Sequence, residues 1–299
     1  MADERYTTAL ETCHLSAGTM DVRVLNLGGI TQSWTRAGTP LILRYDTPEA
    51  YRTDPFYMGA IIGRVAGRVS PGPTRIGDAT YTLVPNEGDV HLHGGPAGLS
   101  RQIWQMQQDG PTCVHLHHSS PDGAQGYPGR VAFTVTITLT ENSLRYDMRA
   151  TPDRPTWINL TQHNYYTLGG RDISDMALKL PTRAWMPSQP NQVASGTKEP
   201  VPPALDFTQT RRFGAAEAID DAFHLDTGDI VLDGPAATLR LSSNQSYAQL
   251  YTGGGLKAPF APFAAVCVEP QAHPNLPVLT GPDAPYRHTL TLEIQDAPR

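Results

Sequence analysis

The sequence predicts an all-β fold, a large antiparallel β-sandwich formed by a single domain over residues 1–299. Glycine and proline number 27 each in the 299 residues, an excess that favours many short elements joined by turns. Apolar and polar residues alternate at many places, which is the pattern of strands buried on one face. Helical periodicity is rare, and only 213–218 could form a helical turn or two.

Strands are predicted wherever this alternation is clearest, which is at 131–140, 176–180, 238–241 and 290–294. In the first segment, five large apolar side chains share one face and mainly threonines share the other. The most linker-like stretch is 188–203, which is rich in Pro, Gln, Ser and Gly. Because strands are predicted on both sides of it, we interpret it as a long surface loop of one β domain.

The charge and hydropathy of the chain exclude several classes of partner. Lys and Arg number 23 against 29 Asp and Glu, for a net charge of −6. No basic surface for nucleic acid or an anionic membrane is therefore expected. The sequence contains no run of 18 or more apolar residues, the length needed to span a bilayer. A small-molecule ligand is expected, and the sequence leaves both a monomer and a homodimer open.

Cysteine usage and the first residues predict a cytoplasmic protein. Cys13, Cys113 and Cys267 are odd in number, far apart and without a C-x-x-C pair. This pattern suits a reducing compartment and argues against a disulfide framework or a zinc site. The segment Met1–Tyr6 has neither a basic nor an apolar signal region, so no secretory signal is expected.

Two polar segments in the second half of the chain could carry acid–base chemistry. Trp157–Tyr166 places His163 among polar and aromatic side chains, and Cys267–Gln271 contains Glu269. A histidine and a carboxylate from distant segments can converge as a general acid and a general base. Each segment alone is a weak signal.

Glycine-rich segments in the first half offer further polar groups. Gly59–Val69 contains Arg64 and Arg68, and either could offer a forked donor to hydroxyls or a carboxylate. The alternative for that segment is an arginine that bridges surface carboxylates. His91 and His93 on one strand would point the same way, which suits a metal if a third ligand arrives. No third ligand is indicated nearby, so hydrogen-bonding histidines beside a glycine turn are favoured.

Later segments add acids, an amide and a phenol. Asp220 and Asp221 are adjacent, and neighbouring strand residues face opposite ways, so at most one of the two is expected to face a site. Gln249–Gly253 offers one amide and one phenol. The chain lacks the G-x-S-x-G, G-x-G-x-x-G and G-x-x-x-x-G-K-[ST] motifs, so nothing calls for a nucleotide or flavin. A polar cleft edged by aromatics suits a neutral polyhydroxyl ligand.

Seven segments, taken in order, resemble the aldose 1-epimerase (galactose mutarotase) family: 63–69, 91–95, 122–129, 159–163, 220–223, 249–253 and 269–271. The resemblance implies the family's large galactose mutarotase-like supersandwich, with the sugar in a surface cleft. It also implies an isomerase of carbohydrate metabolism, which interconverts the α and β anomers of a free aldose without a metal or an organic cofactor.

The resemblance assigns roles to six residues. It implies that His163 is the general acid and Glu269 the general base, and that four residues hold sugar hydroxyls: Arg68, His93, Asp220 and Gln249. The reaction needs a carboxylate and an imidazolium together near neutral pH. Their mutual attraction is expected to lower the pKa of the glutamate and raise that of the histidine.

Departures from the family pattern bear on which sugar is used. Members often have Asn where Gly67 stands, His where Asp221 stands and Asn where Gly254 stands, and 273–277 replaces their usual Pro-Asp-Ala-Asn loop. A site built to bond one hydroxyl can discriminate sharply, so such changes can alter the preferred sugar. The sequence therefore leaves hexoses, pentoses and deoxy sugars open, in either the D or the L series.

Two alternative functions are weighed against catalysis on a free aldose. A hexose-6-phosphate 1-epimerase would need a cationic phosphate pocket, for which only the scattered Arg36, Arg44 and Arg101 are candidates. A non-catalytic sugar-binding module would not require both His163 and Glu269. The presence of both residues favours the enzyme.

Overall fold

Strands are the main regular secondary structure of the computed structural model, which describes residues 8–297. In the first half of the chain they are β1 (Thr12–Ala17), β2 (Met20–Leu25), β3 (Thr31–Arg36), β4 (Thr39–Pro40), β5 (Ile61–Ile62), β6 (Arg68–Val69), β7 (Pro73–Ile76), β8 (Ala79–Thr82), β9 (His91–Leu92), β10 (Gln105–Asp109), β11 (Cys113–Ser120), β12 (Val131–Leu139) and β13 (Ser143–Pro152).

The second half of the chain continues the same pattern of short strands. They are β14 (Thr156–Ile158), β15 (Thr161–Gln162), β16 (Tyr165–Tyr166), β17 (Ala177–Lys179), β18 (Ala184–Met186), β19 (Glu199–Pro200), β20 (Arg211–Arg212), β21 (Asp220–His224), β22 (Ile230–Asp233), β23 (Thr238–Ser243), β24 (Tyr247–Tyr251), β25 (Val266–Gln271), β26 (Val278–Thr280) and β27 (Tyr286–Gln295). Helical segments in the described residues are short 3-10 turns at Pro48–Thr53, Leu99–Arg101, Ala124–Gly126, Ile173–Asp175 and Pro203–Leu205.

Two large antiparallel sheets share one hydrophobic core. The larger sheet has nine strands in the order β10-β11-β12-β13-β27-β23-β22-β17-β20, and the smaller has six in the order β16-β25-β24-β21-β18-β19. Strands β1 to β4 form a separate antiparallel sheet. Buried side chains from all three sheets contribute to one continuous cluster. The predicted all-β antiparallel sandwich is confirmed.

Strand β12 illustrates how the sequence pattern forms the nine-stranded sheet. Its five large apolar side chains, at every second position, are buried, whereas the alternate residues are partly or fully exposed. Burying each such side chain contributes roughly 1.5–3 kcal/mol relative to leaving it in water. All four predicted strands are present at the predicted places, with bounds that differ by one to four residues.

The six-stranded sheet packs one face against the core, and its opposite face carries the candidate site. Phe223, Leu250 and Val268 point into the core shared with the nine-stranded sheet. The residues between them on β21, β24 and β25 therefore point to the opposite face. Loop residues and parts of β6 and β9 line the cleft over that outer face.

The loop predictions have mixed outcomes. Residues 188–203 are mainly irregular, with one bridge between Ser188 and Ala194 and the short strand β19. Residues 213–218 form one turn, closed by a bond from the Glu217 amide to the Gly214 carbonyl, and no helix. Within residues 8–297 no helix has the length and apolarity needed to cross a membrane. Met1–Tyr6 lies outside the described residues, and a single domain over 1–299 stays a prediction.

Candidate active site

A cleft of about 540 Å³ lies over the outer face of the six-stranded sheet. The six residues to which the sequence assigned roles all line it, together with one further acid and several aromatics. The lining includes Arg68, His93, His163, Asp220, Gln249, Glu269, Glu87, Tyr57, Tyr165 and Tyr251. Segments more than 200 residues apart in sequence therefore meet in one place.

Strand register explains why the polar residues of β21, β24 and β25 share this cleft. Gln249 pairs with Glu269, and Asp220 pairs with Tyr251 across neighbouring antiparallel strands. Directly paired residues project from the same face of a sheet. The side chain of Asp221 instead accepts a bond from the Ser188 amide at 3.3 Å. The expectation that only one of the two adjacent acids faces the site is confirmed.

His163 and Glu269 form a buried pair at the floor of the cleft. His163 lies between β15 and β16, and its backbone is held by bonds with Gly59 and Ala60. Its Nε2 atom is 3.5 Å from Oε1 of Glu269, and the two side chains are only 5% and 4% exposed. On the other side of the ring, Nδ1 lies 3.6 Å from the Cys267 thiol. The pair is placed for exchange of a proton.

The expected pKa directions for this pair were wrong. Burial raises the pKa of Glu269 well above its ordinary value and lowers the pKa of His163 to about 4. Removal from water penalises both charged forms, and here that penalty outweighs their mutual attraction. A proton shared by the pair is therefore favoured on the carboxyl group and not on the imidazole, which gives the pair one proton donor and one proton acceptor.

His91 and His93 do not point the same way. Strand β9 ends at Leu92, and His93 has φ 51°, a left-handed conformation that is uncommon outside glycine. The His91 ring is buried, within 2.8 Å of the Tyr127 hydroxyl and 2.6 Å of the Val84 carbonyl. The shared-face expectation failed because the strand stops between the two histidines.

His93 enters the cleft as a neutral group. The Gly67 amide donates to its Nδ1 atom at 3.2 Å, so Nε2 carries the proton of the neutral ring. Burial and the neighbouring His163 lower the pKa of His93 well below its ordinary value. His93 can therefore donate one hydrogen bond to a ligand oxygen.

Two imidazoles and a carboxylate also offer a set of metal-ligand types. One atom from each of His93, His163 and Glu269 lies within 4.8 Å of the others. Ligands of a tetrahedral Zn²⁺, each about 2.0–2.1 Å from the ion, are only about 3.3 Å apart. The three side chains would have to close around an ion, whereas the His163–Glu269 spacing already suits proton transfer.

Arg68 connects the acids of the cleft in a chain. Its Nε and Nη2 atoms donate to both oxygens of Glu87, at 2.5 and 3.0 Å, and Nη1 donates to Asp220 at 3.3 Å. Asp220 in turn accepts from Gln249 Nε2 at 2.7 Å. The sequence left two alternatives for this arginine, a site group or a bridge between carboxylates; it bridges two carboxylates and also lines the cleft, and its role toward a ligand stays a prediction.

Arg64 has a different environment. Its guanidinium is buried and donates to Ser120, Pro121 and Pro128, mainly through their carbonyl oxygens. It lines a second cavity of about 520 Å³, which is also walled by part of the 122–129 segment. That segment is one of the seven that resemble the family, and it borders this second cavity instead of the cleft.

The sequence is similar to proteins of one known family. The family model described as aldose 1-epimerase matches residues 11–288. This chain belongs to the aldose 1-epimerase family. It is 32% identical to the aldose 1-epimerase of Escherichia coli K12 over 179 residues, which are 58% of this chain and 52% of that protein. It is 30% identical to the galactose mutarotase of Sus scrofa over 267 residues, 78% and 77% of the two chains.

Solved structures show the same fold over nearly the full length. The GalM/aldose epimerase homologue from C. elegans superposes with a TM-score of 0.91 at 22% identity, covering 97% of this chain and 100% of that one. Galactose 1-epimerase from Lactobacillus acidophilus gives 0.88 at 24% identity, covering 96% and 95%. The alignment with the E. coli relative, by contrast, spans only about half of that protein's length.

Three of the four departures from the aldose 1-epimerase pattern lie at the cleft. Gly67, with φ 75°, Gly254 and Pro274 of the 273–277 loop line it, whereas Asp221 faces away. A Cβ at Gly67 would have the Gln271 side chain at 3.8 Å as its neighbour, so the glycine leaves open space. At Gly254 a Cβ would lie 3.1 Å from the Phe263 ring. Gly67 therefore enlarges the cleft more than Gly254 does.

Two cleft residues were not predicted from the sequence. Tyr57 packs edge-on against His93 at 4.7 Å between centroids, and Arg101 lies 5.1 Å from the same tyrosine ring. Glu87 holds Arg68. Neither residue belongs to a motif, and each reaches the cleft only because its loop folds over the six-stranded sheet. A sequence signal for them would have required knowledge of that loop path.

Proposed function

We propose that this protein catalyses the anomeric interconversion of a free aldose through ring opening and reclosure. The observation that carries the proposal is the buried His163–Glu269 pair, 3.5 Å apart in a cleft lined with polar side chains. Aldose 1-epimerase family membership supports it. The chemistry needs one group that takes a proton and one that gives a proton, and this pair contains both.

In the proposed reaction, Glu269 as carboxylate takes the proton from the C1 hydroxyl while His163 as imidazolium donates one to the ring oxygen. The bond between C1 and the ring oxygen breaks, and the aldehyde rotates about its C1–C2 bond. Reclosure on the other face reverses both proton transfers. Sugar hydroxyls donating to Glu269 would stabilise its ionised form, moving the shared proton to His163 before the reaction.

Four residues are proposed to hold the hydroxyls of the sugar. His93 offers its Nε2 proton, and Gln249 offers its amide oxygen because its nitrogen donates to Asp220. Asp220 and Arg68 offer carboxylate and guanidinium groups whose positions are fixed by their mutual bonds. Such a prearranged set costs little reorganisation when the sugar binds.

Phosphorylated sugars are less well supported as substrates. Arg68 is the arginine that lines the cleft among the described residues, and two carboxylates already occupy it. Arg101 lies against the Tyr57 ring, and Arg36 bonds Asp296 near the end of the chain. The proposed substrate is therefore an uncharged aldose, and a binding module without catalysis would leave the buried acid–base pair without a use.

The test is polarimetric, on freshly dissolved pure anomers of several aldoses. Wild type should accelerate mutarotation over buffer, and Glu269→Gln should lose about 10²–10⁴-fold in rate because it removes one proton-transfer group. The matched control is Asp221→Asn, because Asp221 is an acid that lies next to Asp220 but faces away from the cleft. This variant should retain the wild-type rate. Binding of an aldose without acceleration would instead support a sugar-binding module.

A further inference from the structure

We propose that Glu87 sets the charge selectivity of the cleft, so that uncharged aldoses are accepted and anionic sugars are rejected. This inference rests on the proposed function and names the substrate class of the same site. Glu87 acts by occupying the guanidinium of Arg68 and by adding a negative charge at the cleft wall. It is thus a specificity-determining residue and not part of the proton transfer.

Glu87 already occupies the pair of guanidinium donors, Nε and Nη2 of Arg68, that an incoming anion would bind. Both carboxylate oxygens of Glu87 bind the Nε–Nη2 edge, which is the edge that recognises carboxylates and phosphates with two parallel bonds. The remaining Nη1 atom is engaged by Asp220. An anionic substituent would have to displace a carboxylate that is already held by two hydrogen bonds.

Glu87 is fixed in this position by the residue before it. Asn86 bonds both backbone groups of Leu92, receiving from its amide at 2.7 Å and donating to its carbonyl at 3.1 Å. The same side chain lies 3.2 Å from the Tyr57 hydroxyl, and Glu87 itself pairs with Val90. The loop therefore presents Glu87 in a defined place, although its side chain is 42% exposed.

The net charge of the residues that line the cleft is negative, which also disfavours anionic sugars. Among the described lining residues there is one arginine, Arg68, against the three acids Glu87, Asp220 and Glu269. Even when the shared proton resides on Glu269, two carboxylates face one guanidinium. A uronate or a sugar phosphate would therefore meet a net negative wall, whereas a neutral aldose would not.

The experiment compares sugars that differ only at C6, as pairs. Mutarotation of D-galactose against D-galacturonate, and of D-glucose against D-glucuronate, is followed by polarimetry or exchange NMR in wild type and Glu87→Gln. Glutamine keeps the size and one acceptor for Arg68 but removes the charge. Glu141→Gln, in the exposed turn between β12 and β13 and outside the cleft lining, is the matched control.

Wild type should prefer the neutral member of each pair. Glu87→Gln should lower the ratio of neutral to anionic kcat/KM by about five- to tenfold, the size expected for one like charge several ångströms away in a partly solvated site. Added salt should raise the wild-type rate on uronates and have a smaller effect in the variant, because screening weakens the same repulsion. A purely structural role for Glu87 would lower both rates and leave their ratio and salt dependence unchanged.

The outcomes separate this inference from the proposed function. If wild type accelerates neutral aldoses but Glu87→Gln leaves the ratio as in wild type and Glu141→Gln, the role of Glu87 is overturned and the function stands. If no sugar is accelerated, the proposed function fails. The same ratio, measured as binding of the paired sugars by saturation-transfer NMR, then still decides the role of Glu87.

Discussion

Arg64 and Arg68 lie four residues apart on one glycine-rich segment, yet their side chains have different environments and different partners. Arg64 is buried at 3% exposure and bonds mainly neutral carbonyl oxygens of a distant loop. Arg68 lies in the cleft and bonds two carboxylates. The first joins two parts of the fold, and the second links polar groups that line the cleft.

The two arginines differ most in what compensates their charge. Burial lowers the pKa of Arg64 to about 10, because no carboxylate touches it among the described residues. Burial also opposes the charge of Arg68, but Glu87 and Asp220 outweigh it and raise the pKa. A buried guanidinium that bonds carbonyl groups, such as Arg64, ties two parts of the fold together, whereas one that bonds carboxylates at the cleft, such as Arg68, sets the position and balance of charge there.

Exchange of each arginine for methionine should separate these roles by the largest margin. Arg64→Met leaves several buried carbonyls unpaired and should cost about 3–5 kcal/mol of unfolding free energy. Arg68→Met removes only partly exposed pairs and should cost about 1 kcal/mol or less, while kcat/KM on a neutral aldose falls roughly 10²-fold. Urea unfolding followed by tryptophan fluorescence, with polarimetry, measures both. Equal destabilisation by the two variants would remove the distinction.

The two histidines that follow extend the comparison with smaller effects. His91→Leu should cost about 1–2 kcal/mol because the Tyr127 hydroxyl and the Val84 carbonyl lose a buried partner, with little change in turnover. His93→Leu should retain stability and lower kcat/KM by about tenfold or more, since one donor to the sugar is lost. The two readouts are thermal unfolding and anomer exchange. A stable His91→Leu variant with impaired catalysis would contradict the assignment.

The smallest expected effect concerns how stability depends on pH. In this respect the His163–Glu269 pair differs from the buried His288. Burial lowers the pKa of both His163 and His288 to about 4, and raises that of Glu269. Between pH 5 and 6 an unfolded chain protonates both histidines and ionises the glutamate. In the folded pair the raised pKa of Glu269 offsets protons that His163 gives up, so the pair should add little slope, whereas His288 makes stability fall as pH falls.

Variants should change that slope in opposite directions. Glu269→Gln removes the compensating proton, so stability should fall more steeply with decreasing pH, by up to about 1.4 kcal/mol per unit. His288→Gln should flatten the slope by a similar amount. Urea unfolding of the three proteins at pH 5.0, 5.5 and 6.0 provides the measurement. Equal slopes for wild type and Glu269→Gln would show that Glu269 holds no compensating proton in the folded state, whatever the slope of His288→Gln.

Local sequence pattern was sufficient for the fold because alternation reports burial directly. β12 needs no distant information, since every second residue is apolar. The six cleft residues were found through ordered motifs, and they do share one cleft; their roles stay predictions. The cytoplasmic location, the choice between monomer and homodimer, and the lack of a cofactor or nucleic-acid partner also stay predictions.

The features that were missed depend on tertiary structure. The direction of the His93 side chain depends on where β9 ends, and a strand end carries no periodic signal. The pKa directions of His163 and Glu269 depend on how completely the cleft floor excludes water, which no spacing in the sequence measures. Glu87 reaches Arg68 through a loop path, and an isolated acid in a loop is indistinguishable from ordinary surface.

The alternation along β24 and β25 has an evolutionary consequence. Leu250 and Val268 belong to the core, while Gln249 and Glu269, one residue away on each strand, face the cleft. A single substitution at a cleft position can therefore change the chemistry of the site without requiring a compensating change in the core. Descendants of such a chain can diversify their sugars by drifting at every second position, while the remaining positions preserve the scaffold.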